Sequence, residues 1–169
     1  MKVLSTQWNS KNCIVCGMEN PNGLKAPFYN LEDGSLATVV TFKDTHQSYP
    51  DRTHGGMVSA LLDELMGRTL WVTDPETFGV TTTLEITYRR PVPLETKVKA
   101  RAVITFNSPR GLTAKGAVYS MDGELLAEGK AKFFKIPFAR AFGNDSSFHE
   151  EMCYEIPLDI TEIDFPEIK

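Results

Sequence analysis

One stretch of the chain, THGGMVSALLDELMG at positions 53–67, limits the possible folds more than any other segment. It predicts a long helix whose apolar residues cover several adjoining sides of the helical wheel. Those apolar residues are Met57, Val58, Leu61, Leu62 and Leu65. A helix on the surface of a domain carries one apolar stripe, so we expect this helix to be surrounded by the rest of the fold.

The segments on either side of the helix predict strands. Two strands are expected before the helix and four after it, at 24–30, 35–42, 80–93, 97–106, 112–120 and 125–135. Because all connections between them are short, the sheet should be antiparallel. One apolar helix and one antiparallel sheet predict an α+β domain of the hotdog fold, in which the sheet wraps around one long central helix. The alternative is a generic α+β domain with its helix on one face of the sheet.

The length of 169 residues fits one domain, and the net charge of −4 argues against nucleic acid or an anionic membrane as a partner. We expect a hotdog core over 1–140 and an acidic C-terminal tail over 141–169. No apolar run is long enough to span a bilayer, and the N-terminus lacks the apolar region of a signal peptide. Three cysteines, an odd number, argue against a disulfide framework, so the expected location is a reducing cytoplasm.

Asp63 is the unusual residue of the helix, because a mid-helix aspartate has low helix propensity and no capping role. Its neighbours one turn away, Ser59 and Gly67, are small and leave room beside the carboxylate. Gly55 and Gly56 leave backbone N–H groups open at the start of the helix, where the dipole favours negative charge. An N–H donor that polarises a carbonyl, with a carboxylate that activates water or attacks directly, is sufficient for acyl hydrolysis. The alternative is an Asp63 that only hydrogen-bonds to a loop.

Gly55 and Asp63 lie eight residues apart in the sequence, which is about 12 Å along a helix axis. One carbonyl group cannot contact both residues of the same helix. Two antiparallel central helices related by a two-fold axis would bring Gly55 of one chain close to Asp63 of the other. The sequence therefore predicts a homodimer or a dimer of dimers.

Four segments resemble hotdog-fold acyl-CoA thioesterases of the PaaI-like and 4-hydroxybenzoyl-CoA thioesterase-like group. They are CIVCGMENPNGL near the N-terminus, HGGMVSALLDELMG in the helix, TLEITYRRPVPL after it and LLAEGKAKFF in the last core strand. The resemblance covers roughly residues 13 to 136 and leaves the tail outside. It implies hydrolysis of an acyl-CoA thioester to a free acid and CoA, with CoA as part of the substrate and no metal or organic cofactor.

The resemblance also implies a role for each matching residue. Gly55 matches the residue whose N–H polarises the thioester carbonyl, with Gly56 beside it. Asp63 matches the catalytic carboxylate, as nucleophile or general base. Thr81 falls where a hydroxyl helps to position the attacking water. His54 matches a histidine that supports the loop, for which we expect a buried, hydrogen-bonded position.

Residues expected to contact the substrate lie in a loop and near strand ends. Where related proteins often place an asparagine near the thioester, this chain has Ser48, and the adjacent Gln47 is expected to take that role. The phosphates of CoA require basic residues, for which Arg89, Arg90 and Arg110 are candidates. Neighbouring residues on a strand face opposite ways, so only one of the first two arginines should serve. The alternative for each arginine is a solvated surface charge.

The cysteines leave a metal site open as a second interpretation. Cys13 and Cys16 form a CxxCG segment that is typical of half a zinc site, and a structural zinc needs four ligands. His149 and Cys153 are four residues apart and could supply the other half from the tail. Plain buried thiols are the alternative.

The expected acyl site is an apolar tunnel between subunits, near Met57, Leu61 and Phe78. Two other functions remain open beside hydrolysis. One is a non-catalytic acyl-CoA-binding protein, a sensor or a degenerate member of the group, against which the combination of Gly55, Asp63 and Thr81 argues. The other is a hotdog dehydratase, whose chemistry usually needs a histidine poised with an acid.

Overall fold

The computed structural model describes residues 1–142 and 147–166. The strands are β1 (Val3–Thr6), β2 (Tyr29–Leu31), β3 (Leu36–Thr41), β4 (Thr77–Tyr88), β5 (Lys97–Asn107), β6 (Gly111–Ser120) and β7 (Leu125–Pro137). The helices are α1 (Gly55–Arg68), α2 (Phe138–Phe142) and α3 (Ser147–Glu151), with short 3₁₀ turns at Asp44–His46 and Thr69–Val72.

The strands form one antiparallel sheet in the order β1-β2-β3-β5-β6-β7-β4. The predicted antiparallel sheet with one long helix is therefore confirmed, and the architecture is the hotdog fold. Strand β4 follows α1 in sequence but pairs with β7, which puts β4 at one edge of the sheet. Strand β1 lies at the opposite edge and was not predicted from the sequence.

Helix α1 packs closely against the concave face of the sheet. The apolar side chains of Val58, Leu61, Leu62, Leu65 and Met66 are buried there. The approach depends on Gly116 of β6, where an added Cβ would lie only 3.0 Å from the Met66 side chain. This contact explains why β6 carries glycine opposite the helix.

The N-terminal segment covers a second side of α1. Val15, Cys16, Leu24 and Phe28 belong to the same buried cluster as the helix residues. The predicted strand at 24–30 is shorter than expected, because the amides of Leu24 and Ala26 bond to this N-terminal loop rather than to a strand. A third side of the helix is not covered by the described residues of the chain, which differs from the expectation that the fold surrounds it.

The described part of the tail packs on the edge of the sheet formed by β1 and β2. The Val3 amide donates to the Thr161 carbonyl over 2.8 Å, and Ile163 is buried against Val3 and Leu31. The side-chain hydroxyl of Tyr29 donates to Asp159 over 2.9 Å. These contacts attach the tail to its own chain.

Candidate active site

Asp63 lies on the uncovered side of α1 and faces strand β4. The hydroxyl of Thr81 donates a hydrogen bond of 2.9 Å to the Asp63 carboxylate. The carboxylate is half-buried, and its neighbours one turn away are Ser59 and Gly67. A side chain at position 67 would press on Phe133, since an added Cβ would lie 3.2 Å from the ring. The small neighbours thus leave space beside the Asp63 carboxylate, and the Thr81 hydroxyl holds the carboxylate in position.

The electrostatic surroundings of Asp63 favour its protonated form more than water does. Burial raises the pKa of Asp63 above its ordinary value, and the neighbouring Glu64 carboxylate raises it further. The hydrogen bond from Thr81 acts in the opposite direction, because it stabilises the charged form. A carboxylate with a raised pKa is a stronger base, which suits proton abstraction from water.

A cavity of about 270 Å³ opens beside Asp63. Five parts of the chain line it: helix α1, the 3₁₀ turn after it, the paired strands β4 and β7, the N-terminal cysteine loop and the tail around α3. Phe78, Phe133 and Trp71 give it aromatic walls, and Phe148 and Met152 of the tail close one side. Of the residues expected around the acyl chain, Phe78 lines this cavity, whereas Met57 and Leu61 are not among its lining residues.

The N-terminus of α1 forms a second polar group of residues. His54 is the N-cap, and its Nδ1 accepts the Gly56 N–H over 2.9 Å. His54 is exposed in the single chain, so the expectation that it is buried was wrong, although its hydrogen bond supports the loop as predicted. The Gly56 N–H is already used by His54, which leaves the Gly55 N–H as the donor without a partner among the described residues.

Tyr88, at the end of β4, packs over the start of the helix. Its hydroxyl donates to the Gly55 carbonyl over 2.8 Å and lies 2.6 Å from the Ser59 hydroxyl. An added Cβ on Gly55 would lie 3.2 Å from the tyrosine ring. Tyr88 was not predicted as a site residue; the only signal for it was its position at the end of the strand that carries Thr81.

Gln47 and Ser48 lie in the exposed loop that precedes α1. Gln47 pairs with Thr53, and the Ser48 amide donates to the Arg52 carbonyl over 2.9 Å. Both residues therefore lie at the N-terminal end of the helix, in the same part of the molecule as His54. The structure does not bring them to Asp63 within one chain.

The three candidate arginines do not form one basic patch. Arg89 pairs with Glu128 at 2.7 Å, and Arg90 pairs with Glu124 at 2.5 Å, both on the surface. Arg110 lies in the turn between β5 and β6, where no carboxylate forms an ion pair with it among the described residues. The turn is near the strand ends opposite those at which Arg89 and Arg90 lie.

The sequence-predicted zinc ligands do not converge. Among the described residues, the sulfurs of Cys13 and Cys16 lie close to a carboxylate oxygen of Glu64. His149 and Cys153 are not part of this group. Cys153 is exposed, and His149 packs edge-on to its neighbour Phe148. A hydrogen bond from Cys13 and a nearby guanidinium lower the pKa of the Cys16 thiol to about 7 despite its burial.

Gly55 and Asp63 belong to one continuous helix, in which Gly55 contacts Tyr88 at the end of β4 and Asp63 contacts Thr81 in the middle of that strand. The donor at the helix N-terminus and the carboxylate near its middle therefore remain apart within a chain, as expected from their spacing. Both lie along the uncovered side of α1, next to the edge strand. The Gly55 N–H and the Asp63 carboxylate are therefore both accessible from the same side of the helix.

A family model described as the thioesterase superfamily matches residues 52–127, the region that contains α1 and strands β4 to β6. The crystal structure of RHA08564, a thioesterase superfamily protein, is 28% identical with a TM-score of 0.67. It covers 72% of this chain. Over residues 52–127 the chain therefore resembles the thioesterase superfamily. The members of this superfamily that it resembles share its sheet and its central helix.

Two further similar proteins were found. The BH2602 protein of Bacillus halodurans, solved with CoA, is 28% identical with a TM-score of 0.54, and the match covers 59% of this chain and 70% of that one. An uncharacterized protein of Schizosaccharomyces pombe is 33% identical over 67 residues, which is 38% of either chain. The matched region spans 59% of RHA08564 and 38% of the yeast protein, less than two thirds of each. No helix in residues 1–142 and 147–166 is both long and apolar enough to cross a membrane.

Proposed function

We propose that this protein hydrolyses an acyl-CoA thioester to a free carboxylic acid and CoA. The observation that supports this most directly is the half-buried Asp63 carboxylate, held by the Thr81 hydroxyl at 2.9 Å beside a cavity. The match of residues 52–127 to the thioesterase superfamily model supports thioester hydrolysis as the reaction class. The presence of CoA in the Bacillus halodurans relative supports CoA as the thiol part of the substrate. We place the reaction in the cytoplasm, as expected from the cysteine content.

In the proposed reaction, a water molecule attacks the thioester carbonyl carbon while Asp63 takes a proton from it. The carbonyl oxygen becomes negatively charged and accepts a hydrogen bond from the Gly55 N–H at the positive end of the helix dipole. Collapse of the tetrahedral intermediate breaks the carbon–sulfur bond, so the CoA thiolate leaves and the acid is released. The raised pKa of Asp63 makes its carboxylate a stronger base, which suits this role.

The complete site requires a second copy of the chain. The middle of β4, residues 80–85, is exposed, and β4 pairs with a neighbouring strand on one side only among the described strands. Antiparallel pairing of two β4 strands would extend the sheet across a two-fold axis and place the two α1 helices side by side. The Gly55 N–H of one copy would then lie near Asp63 of the other. The proposed enzyme is a homodimer or a dimer of dimers.

Of the three candidate arginines, Arg110 is the best placed for a phosphate of CoA. Arg89 and Arg90 already pair with glutamates, whereas Arg110 has no such partner among the described residues. Arg110 shares a groove with Thr82 and Lys132, close to the part of β4 that carries Thr81. A guanidinium and an ammonium at this position would provide two cations for phosphate oxygens.

The test is thiol release from a panel of aromatic and aliphatic acyl-CoA esters, with Asp63→Asn compared with wild type. We expect the substitution to lower kcat by about 10²- to 10⁴-fold, because it removes the base and leaves the shape unchanged. Asp122→Asn, at the exposed tip of a hairpin, removes the same charge far from the site and should retain full activity. Binding of acyl-CoA by wild type without turnover on any ester would instead establish the acyl-CoA-binding alternative.

A second pair of variants tests the N–H donor. Gly55→Pro removes the N–H at the first helical position, where proline is otherwise well tolerated. Gly55→Ala keeps the N–H and introduces the same Cβ contact with Tyr88. We expect a loss of about 10²- to 10³-fold in kcat for proline and a much smaller loss for alanine. Equal losses in the two variants would show that packing against Tyr88 matters and the donor does not.

A further inference from the structure

The N-terminal cysteine loop is a tight turn built around the Cys13 sulfur. The amides of Val15 and Cys16 both donate to the Cys13 Sγ, over 3.3 Å and 3.5 Å. The Gly17 amide donates to the Cys13 carbonyl over 2.8 Å, and a Cβ on Gly17 would lie 2.3 Å from that oxygen. The CxxCG spacing is therefore required by the turn, which points both sulfurs toward one place.

Glu64 of α1 completes the group. The Cys13 thiol donates to the Glu64 Oε2 over 3.4 Å. The two sulfurs and a carboxylate oxygen of Glu64 all lie within 4.8 Å of one another. Around a tetrahedral zinc, a sulfur at about 2.3 Å and an oxygen at about 2.1 Å lie about 3.6 Å apart. The observed separation of sulfur and oxygen is close to that distance.

Arg68 and Ser10 surround the group with hydrogen-bond donors. The buried Arg68 donates from Nε to the Glu64 Oε1 over 2.8 Å and from Nη2 to the Cys16 Sγ over 3.0 Å. The Ser10 hydroxyl lies 3.3 Å from the same sulfur. The guanidinium is fixed between the rings of Phe28 and Trp71, at 4.5 Å and 4.7 Å from their centroids. Hydrogen-bond donors behind the ligand atoms are typical of the outer shell of a metal site, and here the guanidinium binds Oε1 and leaves Oε2 in contact, among the described residues, only with the Cys13 thiol.

We propose that Cys13, Cys16 and Glu64 bind a zinc ion. Two thiolates and one carboxylate carry three negative charges, which a divalent ion and the Arg68 guanidinium neutralise together. Thiolate sulfur and carboxylate oxygen are both ligands that zinc accepts in a tetrahedral arrangement. The protons of the two thiols leave to solvent when the ion binds.

The zinc site would fasten the N-terminal loop to α1 at the residue next to Asp63. Cys13, Cys16, Glu64 and Asp63 line the same cavity. Three protein ligands leave a fourth position for a solvent molecule from that cavity. The ion acts on the position of the loop and the helix, and no step of the proposed hydrolysis passes through it.

The test measures metal directly on the full chain, purified with reductant and without a metal-affinity tag from zinc-supplemented cells. We expect about one zinc ion per chain in wild type by plasma mass spectrometry. Cys13→Ser and Cys16→Ser should each lower the bound zinc about tenfold or more, since a ligand is lost. Cys153→Ser, at the exposed third cysteine, should keep the full amount. Glu64→Gln should weaken zinc binding about tenfold or more, whereas unchanged affinity would overturn the three-ligand site.

A second measurement on wild type does not depend on the folding of any variant. Protein stripped with a chelator and titrated with Co²⁺ should develop a sulfur-to-cobalt charge-transfer band in the near ultraviolet that zinc abolishes. The proposal is overturned if no band appears and Cys13 reacts equally fast with a thiol reagent in the presence and absence of zinc. A Cys13–Cys16 disulfide in freshly purified protein, seen as a mass lower by two hydrogens, would also overturn it.

Discussion

The two edges of the sheet are treated differently by the rest of the chain. At the β1 edge, the Val3 amide donates to Thr161 and the Thr6 hydroxyl donates to the Ile156 carbonyl, so the tail lies along the strand. At the β4 edge, residues 80–85 are all exposed. Strand β1 has 4 residues, whereas β4 has 12. The tail of the chain covers the short β1 edge, and no described residue covers the long β4 edge.

An open edge of this length exposes unpaired backbone groups to any other strand, which is usually avoided in a monomer. The β4 edge also exposes apolar side chains, Val80 and Leu84, and carries the two side chains that contact the helix site, Thr81 and Tyr88. The tail thus covers β1, whereas the open β4 edge is the surface at which we propose that two copies of the chain meet.

The largest expected effect comes from charging the open edge. In the proposed dimer, Leu84→Lys would place two lysines close together near the two-fold axis, and like charges on paired strands repel. We expect the variant to run as a monomer of 18.9 kDa, with kcat/KM lower by about 100-fold or more because each site loses its donor. Size-exclusion chromatography with light scattering and thiol release measure the two effects.

Leu4→Lys provides the matched control at the sealed edge. Leu4 on β1 is 55% exposed and Leu84 on β4 is 37% exposed, so both leucines lie at an edge of the sheet and neither is in the core. We expect Leu4→Lys to remain dimeric and active. A wild-type chain that is monomeric and fully active would contradict the comparison, because the open edge would then have no part in the site.

A smaller effect, but a more specific one, comes from mixing two inactive variants. Gly55→Pro keeps its own Asp63, and Asp63→Asn keeps its own Gly55. If each site combines residues from two chains, a hybrid dimer contains one intact site and one doubly defective site. Random exchange should then restore about a quarter of wild-type activity, since about half of the dimers are hybrids.

The mixing result also separates the two possible placements of the donor. If Gly55 and Asp63 of the same chain shared one substrate, every site in the mixture would keep one defect. Activity would then stay at the level of the variants alone. Subunit exchange is checked with a size-tagged copy of one variant. If hybrids form and activity is still not restored, the site does not combine residues of two chains.

Much of the fold could be predicted because its signals are local. The apolar positions of α1 and the Asp-Gly turns of two hairpins are visible in the sequence and match the observed elements. Strand β1 has only four residues, and both β2, with which it pairs, and Thr161 of the tail lie far from it in the sequence, so no local signal predicted it. The first predicted strand was too long, since the amides of Leu24 and Ala26 bond to the cysteine loop.

The candidate site shows the same division. The proximity of Asp63 and Thr81 followed from a resemblance of residues in α1 and β4, and the structure brings them together. The convergence of Glu64 with Cys13 could not be read from the sequence. In the sequence, Glu64 is already explained by an ion pair with Arg68, four residues away. Nothing local indicates that it also contacts Cys13, which lies 51 residues away.

The smallest expected effect is a shift in the pH dependence of the reaction. Burial raises the pKa of Asp63, and the base must be ionised, so kcat/KM should fall on the acidic side with a midpoint above the ordinary carboxyl value of about 4. The Thr81 hydroxyl stabilises the charged carboxylate and holds this pKa down. Removing the hydroxyl in Thr81→Val should therefore move the midpoint to higher pH.

Thr81→Ser is the control for this shift, because serine keeps a hydroxyl at the same position. We expect its acidic midpoint to match that of wild type, and we expect Thr81→Val to lose less than about tenfold in the plateau rate at high pH. The plateau rate at high pH, where Asp63 is ionised in every variant, reports only on the placing of the water. The acidic midpoint reports on the pKa of Asp63. A large plateau loss with an unmoved midpoint would show that Thr81 positions the water and does not tune Asp63. An unmoved midpoint in every variant, Asp63→Glu included, would assign the acidic limb to another group and remove Asp63 as the base.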